Sequence, residues 1–219
     1  MQSSKSHTLL LDLDGTLIDM SAPKPIFYAR LLYSLARKLT PLIGVGNIFA
    51  ATKTIRSALY ENISSQTLEE NLCAEIKNKF AIEPSITRDI LTSWATHEFS
   101  HFAPMFRPVP GADEAVRKFI QAKRMLVLAT NPVVSLASIE QRLSWIGLRP
   151  NDFDLITHAG NMTRCKPDPA YYSEILKKLN LNATECTMIG NDPIMDGAAE
   201  KVGIKTHILK SWRDLEATA

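Results

Sequence analysis

Long apolar runs are missing from this chain of 219 residues. None approaches the roughly 18 residues a membrane-spanning helix needs, so no membrane partner is expected. The opening, MQSSKSHTLLLDLDG, lacks a leader pattern because Asp12 interrupts its apolar run at once. Cysteine is scarce: Cys73, Cys165 and Cys186 are scattered, with no CxxC and no metal spacing. Reduced thiols in a cytoplasmic protein are the expectation, and without a secretory signal the N-x-S/T triplets at Asn62, Asn161 and Asn182 read as chance matches. Charge of one sign is also lacking. The 25 basic and 23 acidic residues leave a net charge of +2. No dense Lys/Arg block tracks a nucleic-acid backbone, so nucleic acid is not an expected partner. Internal repeats and low-complexity segments are absent too.

What is present is ordinary globular material, 45% hydrophobic and 22% charged, in a chain long enough for one large domain or two small ones. Its texture changes twice. From Ile26 to about Phe102 the pattern is helical. Phe27, Leu31, Leu35 and Leu39 keep helical spacing, and IFAATKTIRSALY follows the Gly44/Gly46 breaker. Thr67 and Glu70 fit a capping box ahead of Leu72, Ile76 and Phe80. A fourth helix from Pro84 is expected to carry Ile86, Ile90, Trp94 and Phe99. Prolines mark both edges of the block, at Pro23 and Pro25 and again at Pro104, Pro108 and Pro110, where a hinge is expected.

Outside that block strands alternate with helices: RMLVLAT, then VSLASIEQRLSWIG; FDLITHA, then PAYYSEILKKLN; CTMIG, then DGAAEKVG; and finally KTHIL. Such alternation predicts a Rossmann-like parallel α/β sheet with helices on both faces. The strand at Leu9–Leu13 belongs with it. The expected organisation is therefore an α/β core from residues 1–18 and 105–219, with an all-helical cap, 19–104, inserted after the first strand.

In an open parallel sheet the ligand site lies beyond the carboxyl ends of the strands. Asp12 and Asp14 follow the first strand, Thr130 and Asn131 the second. Lys166 lies just past the third, and Asp192 and Asp196 follow the fourth. This set suits phosphoryl transfer. Converging carboxylates repel one another unless a divalent ion sits between them, and hard oxygen ligands with room for water and phosphate favour Mg²⁺. One carboxylate can act as nucleophile and a second as acid and base. The lysine and hydroxyl would hold the phosphoryl charge.

In order along the chain, DLDGT, LATN, KPDP and GNDPIMD resemble the four motifs of the haloacid dehalogenase-like hydrolases, in their phosphatase branch. FRPVPGADEAVRKF resembles the family's segment returning from its cap, and the helical insertion matches in position. Carried over by position, the resemblance implies Asp12 as nucleophile and Asp14 as general acid/base. It places phosphate at Thr130, Asn131 and Lys166, with Lys166 also neutralising the nucleophile. Mg²⁺ would be held by Asp12, Asp192 and the Asp14 carbonyl. Asp196 would stand behind the metal ligands or add one more, although it could instead cap a helix at Gly197. One departure bears on metal geometry: the fourth motif usually has Gly directly before its first Asp, and here Asn191 intervenes.

The activity implied is Mg²⁺-dependent hydrolysis of a small phosphorylated metabolite, by a monomer or homodimer. A phosphomutase, a carbon–halogen hydrolase and a non-catalytic phosphometabolite- or protein-binding module are the rivals; the acid at Asp14 argues against the dehalogenase. Thr130-Asn131-Pro132 could also simply start a helix. Lys53 and Arg56 read as a solvated helical face, and His97, His101 and His158 carry no ligand spacing.

Overall fold

Thr8–Leu11 forms β1, buried at every position, in a computed structural model that describes residues 7–212. A strand apolar on both faces belongs inside a parallel sheet, and β1 lies at its centre. On one side it pairs in parallel with β4 (Leu126–Leu128), which pairs with β5 (Leu155–Ile156). On the other it pairs with β6 (Cys186–Gly190), which pairs with β7 (Lys205–Ile208). The sheet order is β5-β4-β1-β6-β7.

Successive side chains of a strand point to opposite faces, so the chain builds two cores. Leu10, Val127 and Met188 pack with Tyr171, Tyr172 and Ile175 of α7 (Pro169–Leu179) on one face. Leu9, Leu11, Leu126, Leu128 and Ile189 face the other way. There they meet Val116 of α5 (Ala112–Gln121) and Ile139 and Leu143 of α6 (Leu136–Trp145). The expected α/β sheet covered on both faces is thus present.

After β1 the chain forms a short strand β2 (Ile18–Met20) that pairs antiparallel with β3 (Phe106–Pro108). Between these two strands lie α1 (Lys24–Ile43), α2 (Ile48–Tyr60), α3 (Leu68–Phe80) and α4 (Pro84–Ser93). The ribbon therefore ties together the entry and exit of the helical segment. At α3 the capping box forms as the spacing predicts, with the Thr67 hydroxyl accepting from Glu70 N and the Glu70 carboxylate accepting from Thr67 N.

Two elements differ from expectation. The fourth helix does not run on as one α-helix to Phe99; a π-turn, Trp94–Glu98, and a 3₁₀ segment, Phe99–Met105, follow Ser93. Trp94 and Phe99 are five apart and both buried. A five-residue turn stacks them on one side, with ring centroids 5.5 Å apart and Phe99 stacked 5.7 Å from Trp145. FDLITHA contributes only Leu155–Ile156 to the sheet. Its neighbour β4 is short, and Thr157 turns its hydroxyl to the carbonyls of Leu128 and Thr130.

Candidate active site

Asp12 begins the loop after β1, its amide donating to Ile189 O. Three residues on, Gly15 turns the chain with φ +91°, and a Cβ there would overlap the Asn191 side chain. Glycine is therefore required twice over, by backbone conformation and by space. The residue that departs from the family pattern thus packs its side chain against the turn carrying the acids. Thr16 Oγ1 lies 3.5 Å from Asn191 Oδ1 and 3.3 Å from Asp12 Oδ2.

Lys166 is buried, and its ammonium donates to Asp12 Oδ1 at 2.8 Å and Asp196 Oδ1 at 2.6 Å. Burial opposes its charge, but the field of Asp12, with Tyr172, Asp196 and Tyr171, outweighs this and holds the ammonium well above the ordinary lysine value. Asp196 makes no side-chain bond that caps the 3₁₀ turn at Gly197. Its Oδ2 accepts instead from the amides of Asn191 and Asp192, at 3.0 and 2.9 Å. A Cβ at Gly190 would overlap that carboxylate. Asp196 thus anchors the Asp192 loop and Lys166 together. Burial raises its carboxyl above the usual range, opposed by Lys166.

After β4, the Thr130 carbonyl accepts from both Thr157 Oγ1 and Tyr171 Oη at 2.8 Å. Its own hydroxyl is buried and has no partner. A buried hydroxyl left without a partner is costly. No helix starts at Pro132; α6 begins at Leu136.

Asp12, Asp14, Asn131, Lys166, Asp192 and Asp196 line a single cavity of about 360 Å³. Thr130 is not among its lining residues. The helical segment closes it with side chains of α1 and α2, Arg56 included. Read from the sequence as solvated, Arg56 stays largely exposed and pairs with Glu61 at 3.1 Å. Lys53 and the three histidines do not line the cavity.

Sequence reasoning missed Arg142 and Tyr28. The guanidinium of Arg142, buried on α6, pairs with Asp14 Oδ1. It also lies 5.3 Å from the centroid of the Phe106 ring. Burial pulls its pKa down to about 10, against the pull of Asp12. Tyr28 of α1 donates to Asp14 Oδ2 at 3.1 Å. One sign was legible: Arg142 falls on the stripe of Ile139, Leu143 and Ile146, where an amphipathic helix should be apolar.

The residues also permit a divalent ion. Among the described residues no three His, Cys, Asp or Glu side chains gather to hold one by themselves. Mg²⁺ asks less, binding through one or two carboxylates with water and substrate phosphate. Asp12 and Asp192 line the same cavity. Asp192 Oδ1 accepts from Ile194 N and Met195 N, leaving Oδ2 without a partner among the described residues.

A parallel sheet covered on both faces, with acids and a lysine gathered beyond its carboxyl edge, places the chain in the α/β class. The chain belongs to the haloacid dehalogenase-like hydrolases, whose family model matches residues 7–203. No curated protein matches it. Among solved structures it is similar to a predicted phosphoglycolate phosphatase from Haemophilus somnus, at 15% identity over 95% of this chain and 87% of that one, TM-score 0.53. A β-phosphoglucomutase from Clostridium difficile is 18% identical over 96% of this chain and 87% of its own, TM-score 0.54. A dehalogenase, 17% identical, covers 99% and 98%, TM-score 0.53. At these identities the likeness is one of fold.

Proposed function

We propose that the protein is a Mg²⁺-dependent phosphatase that hydrolyses a small phosphate monoester through an aspartyl-phosphate on Asp12. The observation that carries this reading is the set Asp12, Lys166 and the unpartnered Thr130 hydroxyl at one sheet edge, with a second acid two residues after the first. Asp14 favours phosphate over a carbon–halogen bond, since a leaving oxygen has to take up a proton whereas a halide leaves without one.

Asp12 Oδ1 is held by Lys166 at 2.8 Å, whereas Oδ2 has only a long contact of 3.3 Å with Thr16, so Oδ2 is the oxygen assigned to attack phosphorus. Lys166 and the Thr130 hydroxyl would hold the phosphoryl oxygens. Mg²⁺ would be held by Asp12, Asp192 and the Asp14 carbonyl, and when bound supplies positive charge beside nucleophile and phosphate. Asp14 would protonate the leaving oxygen, then take a proton from the attacking water. Its pairing with Arg142 favours the ionised carboxylate that the base half needs, whereas the acid half requires Asp14 to turn from the guanidinium and first take up a proton from water. Residues 19–104 would act as a cap, hinged at the β2–β3 ribbon, that excludes water and selects the leaving group.

The test is release of inorganic phosphate from p-nitrophenyl phosphate and a panel of phosphomonoesters, with and without Mg²⁺, for wild type and Asp12→Asn. Metal-dependent turnover lost in the variant is expected. A folded wild type that releases phosphate from no ester, or that releases halide from 2-chloropropionate, overturns the reading.

A further inference from the structure

The helical side of the cavity is poor in polar groups. It is lined by Pro25, Tyr28, Ala29 and Leu32 of the α1 segment, Arg56 and Tyr60 of α2, and faces Met195 beyond the sheet. Of the polar groups there, the Tyr28 hydroxyl is committed to Asp14 at 3.1 Å, and one amino group of the largely exposed Arg56 pairs with Glu61 at 3.1 Å. Apart from Arg56 at this exposed position, the Tyr60 hydroxyl is the remaining polar side-chain group lining the cavity from this side, among the described residues. A polyol bound here would lose water from several hydroxyls and regain few bonds, each loss lowering affinity on the order of tenfold.

Size points the same way. A cavity of about 360 Å³ lies near the small end of the roughly 300–1,000 Å³ typical of ligand sites. Phosphate over Asp12 and Lys166 leaves space for about one ring against Leu32, Ala29 and Met195.

We propose that this enzyme takes phosphate esters whose leaving group is a single apolar ring, selected by Pro25, Ala29, Leu32, Tyr60 and Met195, and rejects sugar phosphates. The proposal rests on the phosphatase reading. Leu32 and Ala29 are specificity-determining residues; neither is expected to touch phosphorus.

The experiment compares kcat/KM for benzyl phosphate and glycerol 3-phosphate, both esters of primary alcohols, so that the ratio reports binding of the leaving group rather than its reactivity. Acetyl phosphate, too small to fill the cavity, tests the phosphatase reading alone. The expected ratio in wild type is on the order of ten to one hundred in favour of benzyl phosphate, falling about tenfold in Leu32→Gln. Ala29 is exposed, so Ala29→Gln provides a second variant that folds even where Leu32→Gln does not, and the same fall is expected. Calorimetry with Mg²⁺ should show phenylphosphonate binding on the order of tenfold more tightly than methylphosphonate. Acetyl phosphate turnover without a benzyl preference, or a preference that survives in the folded variants, overturns the inference alone. Failure of acetyl phosphate and every other ester to turn over removes the phosphatase reading and the inference with it.

Discussion

The buried guanidinium of Arg142 on α6 is paired with the carboxylate of Asp14 in the loop after β1, 128 positions away in sequence. Five α-helices, α1 to α5, lie between them in the chain, and both side chains are largely shielded from bulk water. Desolvation makes such a pair expensive to break from one side, because the remaining charge is stranded. Arg142→Met should therefore cost about 3–5 kcal/mol in urea unfolding. The double variant Arg142→Met/Asp14→Asn should recover part of that loss, since neither partner is left charged. Additive losses in the double variant would show that the two side chains are not energetically coupled.

Gly15 carries two separable demands, a positive φ and closeness to Asn191. Gly15→Ala should destabilise by about 1–2 kcal/mol from the backbone alone, plus the overlap with the Asn191 amide. In an Asn191→Gly background only the backbone part should remain. Equal losses in both backgrounds would mean that the Asn191 side chain moves aside freely.

The capping box of α3 holds Thr67 N and Glu70 N, two of the helix's unsatisfied amides. Thr67→Ala should cost about 1 kcal/mol, and Thr67→Ser should restore most of it. Because Leu68 N also donates to Met162 O and Glu69 N to Ala159 O, the helix end is tied to the core. Hydrogen exchange at Leu68 and Glu69 should therefore quicken in Thr67→Ala.

His158 Nδ1 accepts from Gly160 N at 3.1 Å, which requires that nitrogen to carry no proton. Burial, with Lys178 adding to it, lowers its pKa below the usual 6.5. The unfolded chain then binds this proton at a higher pH than the folded one. The stability it contributes is present above pH about 6.5 and is lost as pH falls toward the folded value. Wild type should be less stable to urea at pH 5.5 than at pH 7.5. His158→Asn, which keeps an acceptor but cannot titrate, should show a smaller difference.

The sequence by itself determined the α/β class, because continuous apolar runs such as Leu9–Leu11 and the alternation with helices have few other uses. It also pointed to the strand ends, and the fold brings Asp12, Asp14, Asn131, Lys166, Asp192 and Asp196 from those ends to line one cavity, with Thr130 outside its lining. The capping box was local, and local chemistry is legible. Only the tertiary structure decided the partners that arrive from elsewhere in the chain. Arg142 on Asp14, Tyr28 reaching from α1 and Asp196 bracing the Asp192 loop are contacts that no periodicity encodes. The π-turn at Trp94–Glu98 was decided by three aromatic rings meeting across the fold. Propensity acts between neighbours in the chain, whereas a buried charge or ring takes its place from whatever the packed core leaves beside it.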